Sequence, residues 1–450
     1  MILNTKVLLK IFIISIISVS FFLGYFLREN AVGGGLEFYA MEWPIIQSLK
    51  KDFLFTINNY GLMHDYTMPF PHMMNAYLNP FSNNITNFQL ANTIISFLIF
   101  IIFAIILKKK NLYISFIDAL LISSVFLLLP FFRTSAFWGK QENYGWLFLI
   151  IAFYFFSEIK KNISKNPNNR DIFNIVFFCL TSACALYARQ ALFFLPISYL
   201  LYLFFNNASK KIIVISIISF AIFSIPGLLL MWTWGGVFHA VPGMEPWGSF
   251  LGGWINYNHI LKNLPIMLSF FGFYLLPFLM VELLNSGFKY FFYKYFKSFF
   301  FALTILFLLS QTNLLNYLGD YTLGGGAILK VNYLIQKNNF LLLLVFSSIG
   351  FSILVRFVEE DAKNSLIILL PVIIIYSLPK ILGQEYVEPL ILIIFFLYLK
   401  TDLHKIYFKN ISLSHLIFIS YFAIYLVGSI YFKHYAFSSY EEWNIFLNAQ

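Results

Sequence analysis

Residues 88–107 read FQLANTIISFLIFIIFAIIL, a stretch of 20 residues without a charge that is followed by Lys108, Lys109 and Lys110. A helix needs about 20 apolar residues to cross the hydrocarbon core of a bilayer, so this stretch predicts a transmembrane helix. The whole chain shares its character: 60% of its 450 residues are hydrophobic, 11% are charged, and the mean hydropathy is +0.77. These values exclude an ordinary soluble protein and indicate a polytopic membrane protein.

Apolar runs between clusters of charge predict about thirteen transmembrane helices, with a range of about 11 to 14. The runs are too long for barrel strands, so we expect an all-α fold and a single integral membrane domain over residues 1–450. The predicted spans are 7–27, 88–107, 112–132, 144–158, 172–188, 190–206, 212–232, 264–283, 298–312, 339–356, 365–379, 387–399 and 412–432.

The net charge of +10 follows from topology. With a cytoplasmic N-terminus, 19 of the 30 Lys and Arg residues fall in cytoplasmic segments, whereas the outer segments hold 11 cations and twelve carboxylates. This is the positive-inside distribution of membrane proteins. No nucleic-acid-binding motif accompanies the short basic loops, so we expect no nucleic acid partner. The first span has no small-residue cleavage site after it and predicts an uncleaved anchor.

Polar residues concentrate in three long outer segments, 28–87, 233–263 and 313–338. They are rich in Gly, aromatic residues, His and carboxylates, so we expect a functional site on the outer side. The bias of the chain towards Phe, Ile, Asn and Lys is typical of an AT-rich genome and favours a bacterium. The predicted location is therefore a bacterial inner membrane, with the site facing the periplasm. The only cysteines, Cys179 and Cys184, lie in one span and form neither a disulfide framework nor a zinc pattern.

The first outer segment holds the densest group of candidate residues. Glu37 and Glu42 lie five residues apart in LEFYAMEWP, and Pro44 suits the first turn of a helix. The apolar positions that follow predict an amphipathic helix over 44–57, lying in the membrane interface.

A proline-rich stretch follows with His64, Asp65 and His72. Imidazole and carboxylate groups bind divalent metal ions, but this spacing matches no recognised metal pattern. We expect no metal and no cofactor, and keep a divalent ion as the alternative. For each of these polar residues the simpler interpretation is a solvated loop residue.

Further charged residues lie at the outer ends of later spans. Arg189 interrupts an apolar stretch, where a charge is costly without an anionic partner, so it is a candidate for binding an anion. The alternative is an arginine that simply marks the end of a span. The other candidates of this kind are Arg133, Lys140, Glu142, Gln190, Asp320 and Glu385.

These motifs resemble those of the GT-C class of polytopic glycosyltransferases. Within that class, the chain resembles the dolichyl-phosphate-glucose α-1,2-glucosyltransferase family. That family carries a DExFH…Q signature after its first span, matched here by 36–40 (LEFYA) with Gln47, and a D…ITT.PG segment, matched by 65–71 (DYTMPFP). Glu37 keeps the acidic position, whereas a leucine and an alanine replace the family's Asp and His.

Later motifs follow in the same order over most of the chain. Glu142 occupies the acidic position of the YT(D/E)..S motif, and 189–190 keeps the Arg-Gln pair of FRQTN..W. The stretch 384–389 (QEYVEP) matches a late proline-ended motif, with Glu385 where the family has Arg. Asp320 corresponds to the Asp of an ADNRHY segment.

The resemblance implies a GT-C-like enzyme that moves a hexose from a polyprenyl-phosphate sugar to a lipid-linked or envelope glycan acceptor, with inversion. Its partners would be that donor, that acceptor and membrane lipids. Glu37 would be the catalytic base, with Asp65 as the second choice. The residues expected to bind the donor phosphate or sugar are Arg189, Gln190, Glu142, Lys140, His72, Glu42, Asp320 and Glu385.

Two other functional classes share this topology. A secondary transporter or lipid-linked glycan flippase should show a two-fold repeat and ionisable residues near the membrane midplane, and the sequence shows neither. An O-antigen ligase or polymerase usually places its large loop late in the chain, whereas the largest outer segment here is the first.

Overall fold

The structure is a computed structural model, and the residues it describes are 5–30, 34–63, 68–111, 113–163, 166–236, 257, 259–310, 326–328, 331, 340–379 and 382–436. They form helices joined by turns and short connections. The helices are α1 (Thr5–Phe26), α2 (Gly34–Glu37), α3 (Trp43–Lys51), α4 (Phe53–Asn58), α5 (Phe70–Met73), α6 (Ile85–Lys110), α7 (Phe116–Ser123), α8 (Pro130–Phe137), α9 (Glu142–Ile159), α10 (Asn169–Ala188), α11 (Phe194–Phe205), α12 (Lys210–Trp234), α13 (His259–Ser286), α14 (Phe288–Ser310), α15 (Leu341–Glu360), α16 (Ala362–Ser377), α17 (Leu390–Leu397), α18 (Asp402–Lys409) and α19 (Ile411–Ala436).

The long apolar helices confirm a polytopic, helical membrane protein. Eight helices in the described part of the chain are long and apolar enough to cross a membrane, namely α1, α6, α10, α12, α13, α14, α15 and most of α19. A bent pair, Phe116–Leu128 with Pro130–Phe137, would make nine. Every predicted span overlaps a helix, but several of these helices are shorter than a bilayer crossing, so the count of thirteen stays a prediction.

The twelfth predicted span, 387–399, differs most clearly in length from the helix that the structure forms there. Its helix, α17, has only 8 residues, and all of them are buried inside the protein. At about 1.5 Å per residue, such a helix is much shorter than the roughly 30 Å of a hydrocarbon core. The apolar run reflects enclosure by neighbouring helices, which a sequence cannot distinguish from exposure to lipid.

The third predicted span is bent by 74° between its two halves. Leu129 is extended and Pro130 begins α8, because proline disfavours a helical conformation in the residue before it and suits a first helical turn. The bend directs α8 into the turn that carries Lys140 and begins α9 at Glu142.

The prediction of one interfacial helix over 44–57 is wrong. A five-residue π-helical turn, Phe38–Glu42, joins α2 to α3, and α3 ends at Asp52, which is extended and caps the separate helix α4. The apolar side of α3 is fully buried against the protein rather than lying in lipid. Aspartate is a favoured N-cap because its carboxylate accepts a backbone N–H bond, here from Phe55 at 2.9 Å.

The second half of the chain is built on a close crossing of α13 and α15. A methyl group on Gly272 would overlap the carbonyl oxygen of Phe346, and one on Gly350 would overlap that of Leu268. Small residues let two membrane helices approach until their backbones touch. In lipid the hydrophobic effect does not drive helices together, so this close van der Waals packing stabilises the pair instead. This crossing holds α13 in place, and α13 contributes Tyr274 to the polar groups behind the candidate site.

Candidate functional site

A cluster of charged side chains lies where the first outer segment meets the outer ends of the later helices. It contains Glu37, Lys140, Glu142, Arg189 and Glu385, which interact electrostatically with one another. We call these five residues the outer cluster. They are far apart in sequence, and each stands at a helix end or in a turn. The fold therefore brings together five of the ten residues that the sequence predicts to act as the base or to bind the donor.

Glu37 is the most exposed acid of the outer cluster. Its carboxylate forms an ion pair with Lys140, and the exposed fractions of the two side chains are 54% and 20%. Burial alone would lower the pKa of Lys140, but Glu37, Glu142 and Glu42 outweigh it and raise that pKa above its usual range. Lys140 therefore carries a positive charge beside Glu37 at neutral pH.

Arg189 is the enclosed cation of the outer cluster, with 7% of its surface exposed. It caps the end of α10 in an extended conformation, which directs its side chain away from the helix axis. The guanidinium lies over the rings of Trp146 and Tyr386, at 5.3 and 5.1 Å. Its Nη1 donates to the backbone carbonyl of Glu385 at 3.1 Å and lies 3.9 Å from a carboxylate oxygen of Glu142.

Glu142 begins α9 and links the two cations. Its carboxylate accepts a hydrogen bond from the Ser135 hydroxyl at 3.0 Å. Burial alone would raise the pKa of Glu142, but Arg189 and Lys140 outweigh it and lower that pKa below its usual range. The carboxylate is therefore ionised at neutral pH.

Glu385 differs from the other acids of the outer cluster. It lies half-buried in the turn before α17, and its backbone carbonyl holds Arg189. Burial raises the pKa of its carboxyl, although Lys140 and Arg189 partly oppose this. Because the pKa is raised, this carboxyl takes up a proton more readily than an exposed glutamate.

Glu42 and His72 form a second, buried group beside the outer cluster. The His72 ring is fully buried; its Nε2 lies 2.5 Å from the Glu42 carboxylate and its Nδ1 lies 2.6 Å from the Tyr60 hydroxyl. Gln141 lies 3.5 Å from Nε2. Both ring nitrogens contact protein groups. His72 therefore links α5 to the π-helical turn Phe38–Glu42 and to the 3-10 helix Tyr60–Met63, rather than contacting a donor phosphate.

Three predicted residues remain to be placed. Gln190 begins the short 3-10 helix Gln190–Phe193 directly after Arg189 and is half-buried. Asp65, the second choice for the base, and Asp320 lie outside the described residues, and so does His64 of the alternative metal site.

Two buried carboxylates, Glu29 and Glu388, hold this region together, and sequence reasoning missed the first of them. Glu29 binds the guanidinium of Arg133, with Nε at 2.7 Å, and Arg133 is itself fully buried rather than available to a ligand. Glu388 accepts hydrogen bonds from the hydroxyls of Tyr274 and Tyr425 at 2.5 and 3.0 Å. Each carboxylate follows or precedes an apolar run, and nothing local in the sequence indicates its distant partners.

Comparison with known proteins adds no assignment: no family model, no curated protein and no solved structure matches this chain.

Proposed function

We propose that this chain is a membrane glycosyltransferase that moves a hexose from a polyprenyl-phosphate sugar to a lipid-linked or envelope glycan acceptor on the outer side of the membrane. The observation that carries the proposal is the outer cluster, in which an accessible carboxylate and two cations meet at one end of an apolar helical bundle. Such a reaction needs these groups in one place, because a proton is removed while a phosphate departs.

Glu37 is the proposed base. In an inverting displacement, the acceptor hydroxyl gives its proton to the base, its oxygen bonds to the anomeric carbon, and the bond from that carbon to the phosphate oxygen breaks with its electron pair. The base has to be ionised and open to an incoming hydroxyl. Glu37 is open to such a hydroxyl, since more than half of its side chain is exposed, and Lys140 lies beside its carboxylate.

Arg189 and Lys140 are the proposed partners of the leaving phosphate. Developing negative charge is best stabilised by donors held in place before the reaction. The guanidinium of Arg189 lies over two aromatic rings, and its two polar contacts within the described part of the chain are both made through Nη1. A guanidinium has five N–H donors in a fork that fits phosphate oxygens, so donors remain for the ligand.

The proposal is tested by incubating the purified protein with radiolabelled polyprenyl-phosphate sugars and a membrane lipid extract. We expect label to pass from one of the donors into a lipid-linked or glycan product. The matched control is the same mixture with an Arg189→Gln variant, which removes the enclosed cation. No product from any donor, together with solute flux into vesicles that needs no donor, would contradict the proposal and favour a transporter.

A further inference from the structure

A second charged region lies at the opposite end of the bundle, on the side that the lysine distribution predicts to be cytoplasmic. There the ends of α6, α9 and α17 enclose a cavity of about 310 Å³. Five lysines and one carboxylate line it: Lys109, Lys110, Lys160, Lys161, Lys400 and Glu158. The cavity plays no part in the function proposed above.

Three of these lysines repel one another. Lys110, Lys160 and Lys400 lie close enough to interact electrostatically. Among the residues that the structure describes, no carboxylate lies within 4.0 Å of any of the three ammonium groups. Glu158, the acid that lines the cavity, forms ion pairs with Lys161 at 2.7 Å and with Arg170 at 3.8 Å. Lys110 donates to the backbone carbonyl of Phe396 at 3.1 Å, and Asp361 acts on Lys160 electrostatically without forming an ion pair with it. The cavity therefore concentrates positive charge that the described carboxylates only partly balance.

Aromatic rings hold Lys160 at the cavity wall. Its ammonium group lies 3.8, 4.7 and 4.8 Å from the ring centroids of Tyr398, Phe156 and Tyr202. Burial, together with the charge of Lys400, lowers the pKa of Lys160 to about 7. Lys160 therefore loses its proton more readily than an exposed lysine, and an anion in the cavity would favour its charged form.

We propose that this cavity binds a phosphate group. Three lysines that line one cavity and repel one another favour an anion with more than one charge and with oxygens on several sides, which a carboxylate does not offer. Basic pockets between membrane helices on the cytoplasmic side suit phosphate-bearing lipid headgroups. The same chemistry fits a soluble phosphate compound, and the experiment separates the two sources.

Acylation of lysines by an amine-reactive reagent, followed by mass spectrometry, tests the proposal on the full chain. Only a neutral amine reacts, so Lys160 is expected to react fast without ligand and slowly once a phosphate raises its pKa. One arm compares phosphatidylcholine vesicles with and without phosphatidic acid. The other arm adds inorganic phosphate to the protein in detergent, against chloride of equal ionic strength. We expect about fivefold slower acylation of Lys160 in at least one arm.

Lys210 is the internal control, since it is exposed and expected on the same side but lies outside the cavity. Slowing with phosphatidic acid alone assigns a lipid headgroup, and slowing with inorganic phosphate alone assigns a soluble phosphate. Slowing in both arms assigns the phosphate group whatever carries it. A Lys400→Met variant should lose the protection and a Lys210→Met variant should keep it. Unchanged acylation of Lys160 in both arms, or equal slowing at Lys210, would overturn the proposal.

Discussion

Arg189 is the residue at which the outer cluster is most enclosed. It bridges a backbone carbonyl, a carboxylate and two aromatic rings at the junction of α10 and α11. A buried cation of this kind either stabilises the fold or binds a ligand, and variants can distinguish these two roles. If Arg189 only neutralises Glu142, a double variant that removes both charges should regain the stability and the activity that the single variant loses.

We expect Arg189→Gln to lower the free energy of unfolding by about 2 kcal/mol, because Glu142 then stays in a mostly buried position with only one of its two cations, Lys140. Adding Glu142→Gln should recover most of this stability but none of the sugar transfer, since the donor phosphate still lacks its cation. Thermal unfolding in detergent and transfer rates on the same samples measure both effects. Recovery of transfer in the double variant would show that Arg189 serves the fold alone.

Single residues also show what a sequence reveals and what it hides. Glu37, Lys140, Glu142, Arg189 and Glu385 could be predicted because charges at the outer ends of apolar runs are conspicuous. Their pairing could not, since it depends on the bend at Pro130 and on how the helices pack. Glu29 was missed for the same reason: its partner Arg133 lies 104 residues away, so neither residue carries a local sign of the other.

At the scale of elements, local chemistry decides where helices end and tertiary packing decides what they face. The predicted interfacial helix fails at Asp52, which caps a new helix instead of continuing the old one. Ile45, Ile46 and Leu49 were assigned to the interface but are buried against protein, because an amphipathic pattern looks the same in both places. The chain could have indicated the break, because aspartate inside a helix competes for backbone N–H groups.

The crossing of α13 and α15 provides a test of the packing. We expect Gly350→Ala to lower the free energy of unfolding by about 3 kcal/mol, because its methyl group would overlap the Leu268 carbonyl and force the helices apart. Gly428→Ala is the matched control, since no atom lies within 4 Å of the position of its added methyl group. Thermal unfolding in detergent compares the two. Equal stability of the Gly350 variant and the control would show that the helices do not cross this closely.

At the scale of the whole molecule, the excess of positive charge and the outer cluster lie at opposite ends of the bundle. On the predicted topology, the +10 net charge lies in the cytoplasmic segments, whereas the outer segments are nearly neutral and mix cations with carboxylates. The overall class could be predicted from composition, since long apolar runs have few alternatives to membrane helices. The number of crossings could not, because short buried helices such as α17 and true crossings give the same apolar signal.

Cysteine labelling tests the predicted topology. In a chain whose Cys179 and Cys184 are replaced by alanine, a membrane-impermeant maleimide should label Thr86→Cys in intact cells. Lys211→Cys and Lys405→Cys should be labelled only after the membrane is opened. All three positions are exposed, so access alone decides the result. Labelling of either lysine position from outside would contradict the assignment of sides.

The central claim is that Glu37 is the base of a sugar transfer at the outer cluster. Its most direct test is the transfer rate of Glu37→Gln, a change that keeps the size of the side chain and removes its ability to accept a proton. Asp52→Ser is the control, because it removes a carboxylate of the same segment and keeps an N-cap. We expect at least about a 100-fold loss for Glu37→Gln and a wild-type rate for the control, at equal expression. A wild-type rate for Glu37→Gln would contradict the claim.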